Sequence, residues 1–103
     1  MAEIVNDETN KKKKEDEESI LRVGSKTNVK SLAGAITATV KDNGFVVLRG
    51  IGDGAIGRGL RAAAIASGYM TPMGVELIVK PSFFMTEIDG QERTGLQILY
   101  ENR

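Results

Sequence analysis

Few side chains in this sequence could do chemistry. The 103 residues include no histidine and no cysteine. That removes the commonest general base, the commonest metal ligand, the thiolate nucleophile and any disulfide framework. Ser25, Ser67 and Ser82 have no histidine to activate them. Asp53, Glu76, Glu87, Asp89 and Glu92 show no paired metal-ligand spacing. An enzyme is not expected, nor a metal, a cofactor or a small-molecule substrate.

What remains is glycine and positive charge. Gly52-Asp-Gly-Ala-Ile-Gly57 matches G-x-G-x-x-G between an apolar run and a helical pattern, the setting of a dinucleotide fingerprint. Four short strands cannot build the doubly wound sheet that holds both halves of a dinucleotide. The following strand ends in Lys80, where an acid should hold the ribose, and Asp53 sits where a pyrophosphate would lie. Two readings stay open: a purely structural turn, or one whose N–H groups also face nucleic-acid phosphate. Lys26 and Lys30 flank the start of a helix that already favours anions, which fits phosphate binding as well as a solvated loop. Further on, a helical wheel sets Ile56, Leu60, Ala63 and Ser67 against the core and turns Arg58, Arg61 and Ile65 outward. That outer face reads as a contact with phosphate or another subunit, or as a solvated face with one stray isoleucine.

These residues need elements to hold them. Residues 1–19 carry four lysines and seven acids, a net of −3, while residues 20–103 carry ten Lys/Arg and seven acids, a net of +3. The first segment is expected to be a disordered charged tail, with Lys11–Lys14 adding at most nonspecific phosphate attraction. Residues 20–103 are expected to form one small domain, of a size that often gains stability by oligomerising. Ile20–Ser25 reads as a first strand. Thr27 or Asn28 is placed to cap a helix whose stripe is Val29, Leu32, Ala33, Ile36 and Val40, ended by Asn43-Gly44. Phe45–Leu48 is a buried strand. Ala55–Ser67 is a second helix, with Gly68 as its αL stop.

Val75–Lys80 is a third strand that Pro81 interrupts or confines to an edge. Extended chain continues through Phe83-Phe84-Met85 to Ile88, and Arg93–Tyr100 returns after an Asp89-Gly90 turn. A two-residue loop would set Glu87 against Glu92, so a three-residue loop with a bulge at Gly90 is preferred. The order is β-α-β-α-β-β: an α+β domain with two helices on one face of a small four-stranded mixed sheet. Phe83, Phe84 and Met85 place apolar bulk on both sides of a strand edge, and self-association through Phe83, Phe84 and Ile65 is expected in preference to base stacking. No apolar run is long enough to span a membrane and no signal-peptide core opens the chain, so a cytoplasmic protein is expected.

Ile20-Leu-Arg-Val-Gly-Ser25, Val29-Lys-Ser-Leu-Ala-Gly-Ala-Ile36, Gly52-Asp-Gly-Ala55, Arg61-Ala-Ala-Ala-Ile-Ala66 and Ile88-Asp-Gly-Gln-Glu-Arg-Thr94 together resemble the stage V sporulation protein S family. More distantly, the glycine turn and its helix look like those of Alba chromatin proteins. The resemblance implies an Alba-like fold in a small bacterial protein tied to sporulation and septation. It also implies a dimer or tetramer that binds DNA or RNA. Matched residue by residue, it points to Lys26, Asn28 and Lys30 in the first loop, Arg49, Gly52, Gly54 and Arg58 around the turn, and Arg93 in the hairpin. The other reading is a self-assembling sporulation or division protein that does not touch nucleic acid.

Overall fold

The computed structural model describes residues 19–103. The charged tail expected over residues 1–19 lies outside them except for Ser19. Four strands, β1 (Ile20–Val23), β2 (Phe45–Gly50), β3 (Leu77–Ile88) and β4 (Gln91–Asn102), form one sheet in the order β1-β2-β4-β3. Helices α1 (Val29–Asn43) and α2 (Asp53–Met70) connect them, with a 3-10 turn at Thr71–Met73. β1 and β2 run parallel, and β4 is antiparallel to both its neighbours. The expected β-α-β-α-β-β order and mixed sheet are the observed ones.

Strand alternation sorts the core. Val46, Leu48, Ile98 and Tyr100 point to the helix-bearing face and are buried. They meet Leu32, Ala33, Ile36 and Val40 of α1, four members of its expected stripe, while Val29 packs at the margin. Ser19, assigned above to the tail, is buried: its carbonyl accepts from Val47 N–H at 2.7 Å and its hydroxyl from Asn43 Nδ2 at 2.9 Å.

Three expectations are corrected. α2 buries a stripe of small residues, Ala55, Gly59, Ala62, Ala63 and Ala66, closed by Met70. Leu60 is 47% exposed, and Ile65 is half-buried against the core and does not face outward. The helix lies too near the sheet for large side chains: a Cβ on Gly59 would sit 2.7 Å from Leu48 Cδ2. Gly68 does not stop this helix, which runs on to Met70 and ends through the Pro72-containing turn and an αL Gly74. The hairpin uses the two-residue loop, with Asp89 at φ 52° and Gly90 at φ 78°, and Glu87 does pair with Glu92. Positive φ at both positions gives the type I′ turn whose twist matches the strands. Both glutamates are exposed, where water screens their repulsion.

Pro81 sits within β3 on the sheet edge, as its missing N–H requires, and does not break the strand.

Tyr100 ties the layers together. Its fully buried hydroxyl donates to the Gly59 carbonyl at 3.0 Å. Burial pushes its phenol up from 10.0 to about 12. The raised folded-state value means the neutral ring stabilises the fold fully below pH 10 and loses that contribution as pH rises towards 12. Tyr100→Phe should cost about 1 kcal/mol at neutral pH. It should also remove a decline on the order of 2 kcal/mol between pH 10 and 12, measured by denaturant unfolding in that window.

Candidate functional site

Because β1 and β2 are parallel, both end at the same end of the sheet, where α1 and α2 begin. β3 finishes and β4 starts there too. Residues 91–95 of β4 continue past the last β2 pair, Gly50–Leu96, so the hairpin projects as an arm roughly 17 Å long. Loop, glycine turn and hairpin therefore meet at one end.

The β1–α1 loop is held by short-range bonds. Gly24 N–H donates to Thr27 Oγ1 at 2.8 Å, and Thr27 N–H returns to the Gly24 carbonyl at 3.3 Å. Asn28, not Thr27, caps α1, accepting from Ser31 N–H at 2.8 Å. Its side-chain oxygen is thus committed to the cap. Lys26 and Lys30 are exposed on either side of this cap, and α1 has no acid in its first turn. Among the described residues, no carboxylate pairs with either lysine.

Gly52 sits at φ 93°, ψ 154°, a conformation that favours glycine, and redirects the chain from β2 into α2. It brings no side-chain cap, and the first helical bond runs from Ile56 N–H to its carbonyl. The N–H groups just after it therefore have no partner within the helix. Asp53 puts one negative charge on this turn. The loop and the turn touch: a Cβ on Gly54 would lie 3.7 Å from Ser25 Cβ.

Arg58 joins them. Its Nε donates to the Ser25 carbonyl at 2.6 Å and its Nη1 to the Thr27 carbonyl at 3.2 Å. It is therefore a clamp that fixes the lysine loop against α2, with only part of its guanidinium left to face a ligand. Arg61, one turn on, is exposed. No sequence pattern announces this clamp, because its partners lie 33 and 31 positions away.

The opposite face of the sheet, free of helices, carries Arg22, Arg49 and Gln97 in one row across β1, β2 and β4. Arg49 Nε donates to Gln97 Oε1 at 2.9 Å, and its guanidinium lies 5.1 Å from the centre of the Phe84 ring. Arg93, on the arm, shares this face by register and is exposed. Phe84 lies here too, half-buried, whereas Phe83 projects 74% exposed from the helix-bearing side. The aromatic pair therefore does not form one surface.

A family described as stage V sporulation protein S (SpoVS) matches residues 19–103. The chain belongs to the SpoVS family. The family is linked to sporulation, and its match takes in all the described residues. Among solved structures, Alba from Thermoplasma volcanium superposes with a TM-score of 0.56 over 81% of this chain and 99% of that one. At 14% identity the likeness is one of fold: this SpoVS-family chain has the Alba-like arrangement of sheet and helices. Among the described residues, no group of three or more acids could hold a metal ion, and no helix is long and apolar enough to cross a membrane.

Proposed function

We propose that this SpoVS-family protein is a small, oligomeric, nucleic-acid-binding regulator acting in the cytoplasm during sporulation and septation. It binds DNA or RNA mainly through phosphate. Lys26 and Lys30, the N–H groups of the Gly52–Gly54 turn, Arg61 and the arm residue Arg93 supply the contacts, and Arg58 holds the loop in place. The observation that carries this reading is the convergence on one end of the sheet. Two lysines without carboxylate partners among the described residues sit on a loop beside the uncapped start of α2, clamped there by an arginine. Such contacts position a backbone and read little sequence.

Fluorescence anisotropy with labelled 20-nucleotide DNA and RNA, single- and double-stranded, tests it. About four neutralised phosphates should weaken binding by roughly 50- to 150-fold between 50 and 200 mM salt. Absence of binding at 50 mM salt would sink the proposal.

A second observation favours self-association. The helices lie chiefly over β1, β2 and part of β4; Leu77 still packs against the core, and the helix-side row of β3 beyond it is exposed from Val79 to Met85. Val79, Phe83 and Met85 are 49%, 74% and 58% exposed. This strip is the surface we assign to a second copy of the chain, with Phe83 at its centre. Phe84 and Ile65 lie outside it. Sedimentation velocity should give a dimer or tetramer for the native chain and a monomer for Phe83→Asp. A native chain that sediments as a monomer at micromolar concentration would contradict the assignment.

A further inference from the structure

We propose that two copies of the chain clasp through their hairpin arms, and that the clasp covers the lysine end to which nucleic acid binds. This rests on the phosphate site and the β3 strip proposed above, and it gives that site a regulator: a second copy of the same chain. The arm changes character along its helix-bearing side. By register Phe83, Met85 and Glu87 lie there in turn, with Thr94 and Glu92 across from the last two. Phe83 and Met85 are the two most exposed large apolar side chains among the described residues. Beyond them the tip carries Glu87, Asp89 and Glu92 against Arg93, a net of −2. Glu87 faces Glu92 directly across the strands, an unfavourable pairing that a cation would relieve. Among the described residues, no lysine or arginine forms an ion pair with these three acids.

The opposite charge stands at the arm's base. Lys26, Lys30 and Arg61 are exposed there, and α1 has no acid in its first turn. Two arms laid antiparallel, helix-bearing sides together, bring each tip to the other's base. The arm is roughly 17 Å long, so full overlap carries the tip to the level of Gly50 and Leu96, where β2 ends. Packed sheets stand about 10 Å apart, which is also about the thickness of a helix. The incoming tip therefore continues the helix layer and meets the starts of α1 and α2 end on. Helix dipoles favour negative charge at that point. Apolar side chains meet in the middle of the clasp, and acids meet lysines at both ends. A parallel pairing of the arms would set acids against acids. The overlap is well below the roughly 800 Å² per partner of a standard interface, so the clasp is weak enough for a ligand to open. Phosphate reaches Lys26 and Lys30 only when the arms part.

Charge exchange tests the clasp. Glu87→Lys with Glu92→Lys makes a chain positive at both tip and loop, and Lys26→Glu with Lys30→Glu makes one negative at both. All four residues are exposed, so both chains keep the core that folds them. In sedimentation velocity at 50 mM salt each variant alone should run as a single chain, and their equimolar mixture should form the dimer. A six-nucleotide DNA strand should convert the native dimer into single chains carrying the strand. A tenfold rise in protein concentration should weaken the apparent affinity for that strand roughly threefold, as the fraction of single chains falls. Variants that stay single when mixed, or a native dimer that keeps its mass with the strand bound, would overturn the inference and leave the phosphate site standing. A strand that fails to bind even the unclasped Glu87→Lys, Glu92→Lys chain, which retains both loop lysines, would overturn the nucleic-acid reading and the competition with it.

Discussion

Gly95→Ala is expected to destabilise the domain by about 2–3 kcal/mol. For a domain of this size that lowers the melting temperature by roughly 10–20 °C. Gly95 is buried between the Phe84 ring and the backbone of β2. A methyl group there would lie 2.4 and 2.7 Å from two Phe84 ring carbons and 2.9 Å from the Gly50 carbonyl oxygen. The ring can yield only by leaving Arg49. The carbonyl belongs to a strand paired on both sides and cannot move alone. Thermal unfolding followed by circular dichroism measures the loss. Adding Phe84→Ala should recover part of it, because the two sites share one contact. A melting temperature within 2 °C of the native protein would contradict the packing described for this face.

The element order was legible because each element announces itself locally. α1 has its apolar stripe, its cap at Asn28 and its stop at Gly44; β2 has its β-branched run; the hairpin has Asp89-Gly90. Alternation along β3 also required Phe83 and Phe84 to face opposite ways. What was not legible depends on distance between layers. Side-chain size alone turns Leu60 of α2 inward. The close approach at Gly59 reverses this and buries alanines. Charge alone disfavours the observed hairpin register, but turn geometry outweighs a screened pair of glutamates. At the candidate site, Lys26, Lys30 and the glycine turn were visible as residue types. That Arg58 clamps the loop, and that Arg49 covers Phe84, follow only from which strands become neighbours.

Lys26→Glu combined with Lys30→Glu should separate binding from stability by moving them in opposite directions. Lys30 lies in the first turn of α1, where the helix dipole disfavours a cation and no acid is present. Glutamate there should stabilise the domain by about 0.5 kcal/mol. The same change removes two phosphate contacts and sets two negative charges beside the Gly52–Gly54 turn. Affinity for DNA or RNA at 50 mM salt should fall at least thirtyfold. The slope of log affinity against log salt should become shallower by about 1.4–1.8. Thermal melts and salt-series anisotropy on the same preparation measure both effects. Unchanged affinity in a more stable protein would remove the loop from the binding surface.

The most direct measurement is amide chemical-shift mapping of the isotopically labelled full chain, titrated with a short single strand and a short duplex at 50 mM salt. The largest changes should fall at Ser25–Lys30, at Gly52–Gly54 and around Arg61 and Arg93, and should fade at 200 mM salt. Those segments form one end of the sheet, where the parallel strands finish and the helices begin. The absence of any change, or changes confined to Val79–Met85 on the open edge of β3, would contradict a nucleic-acid surface at that end.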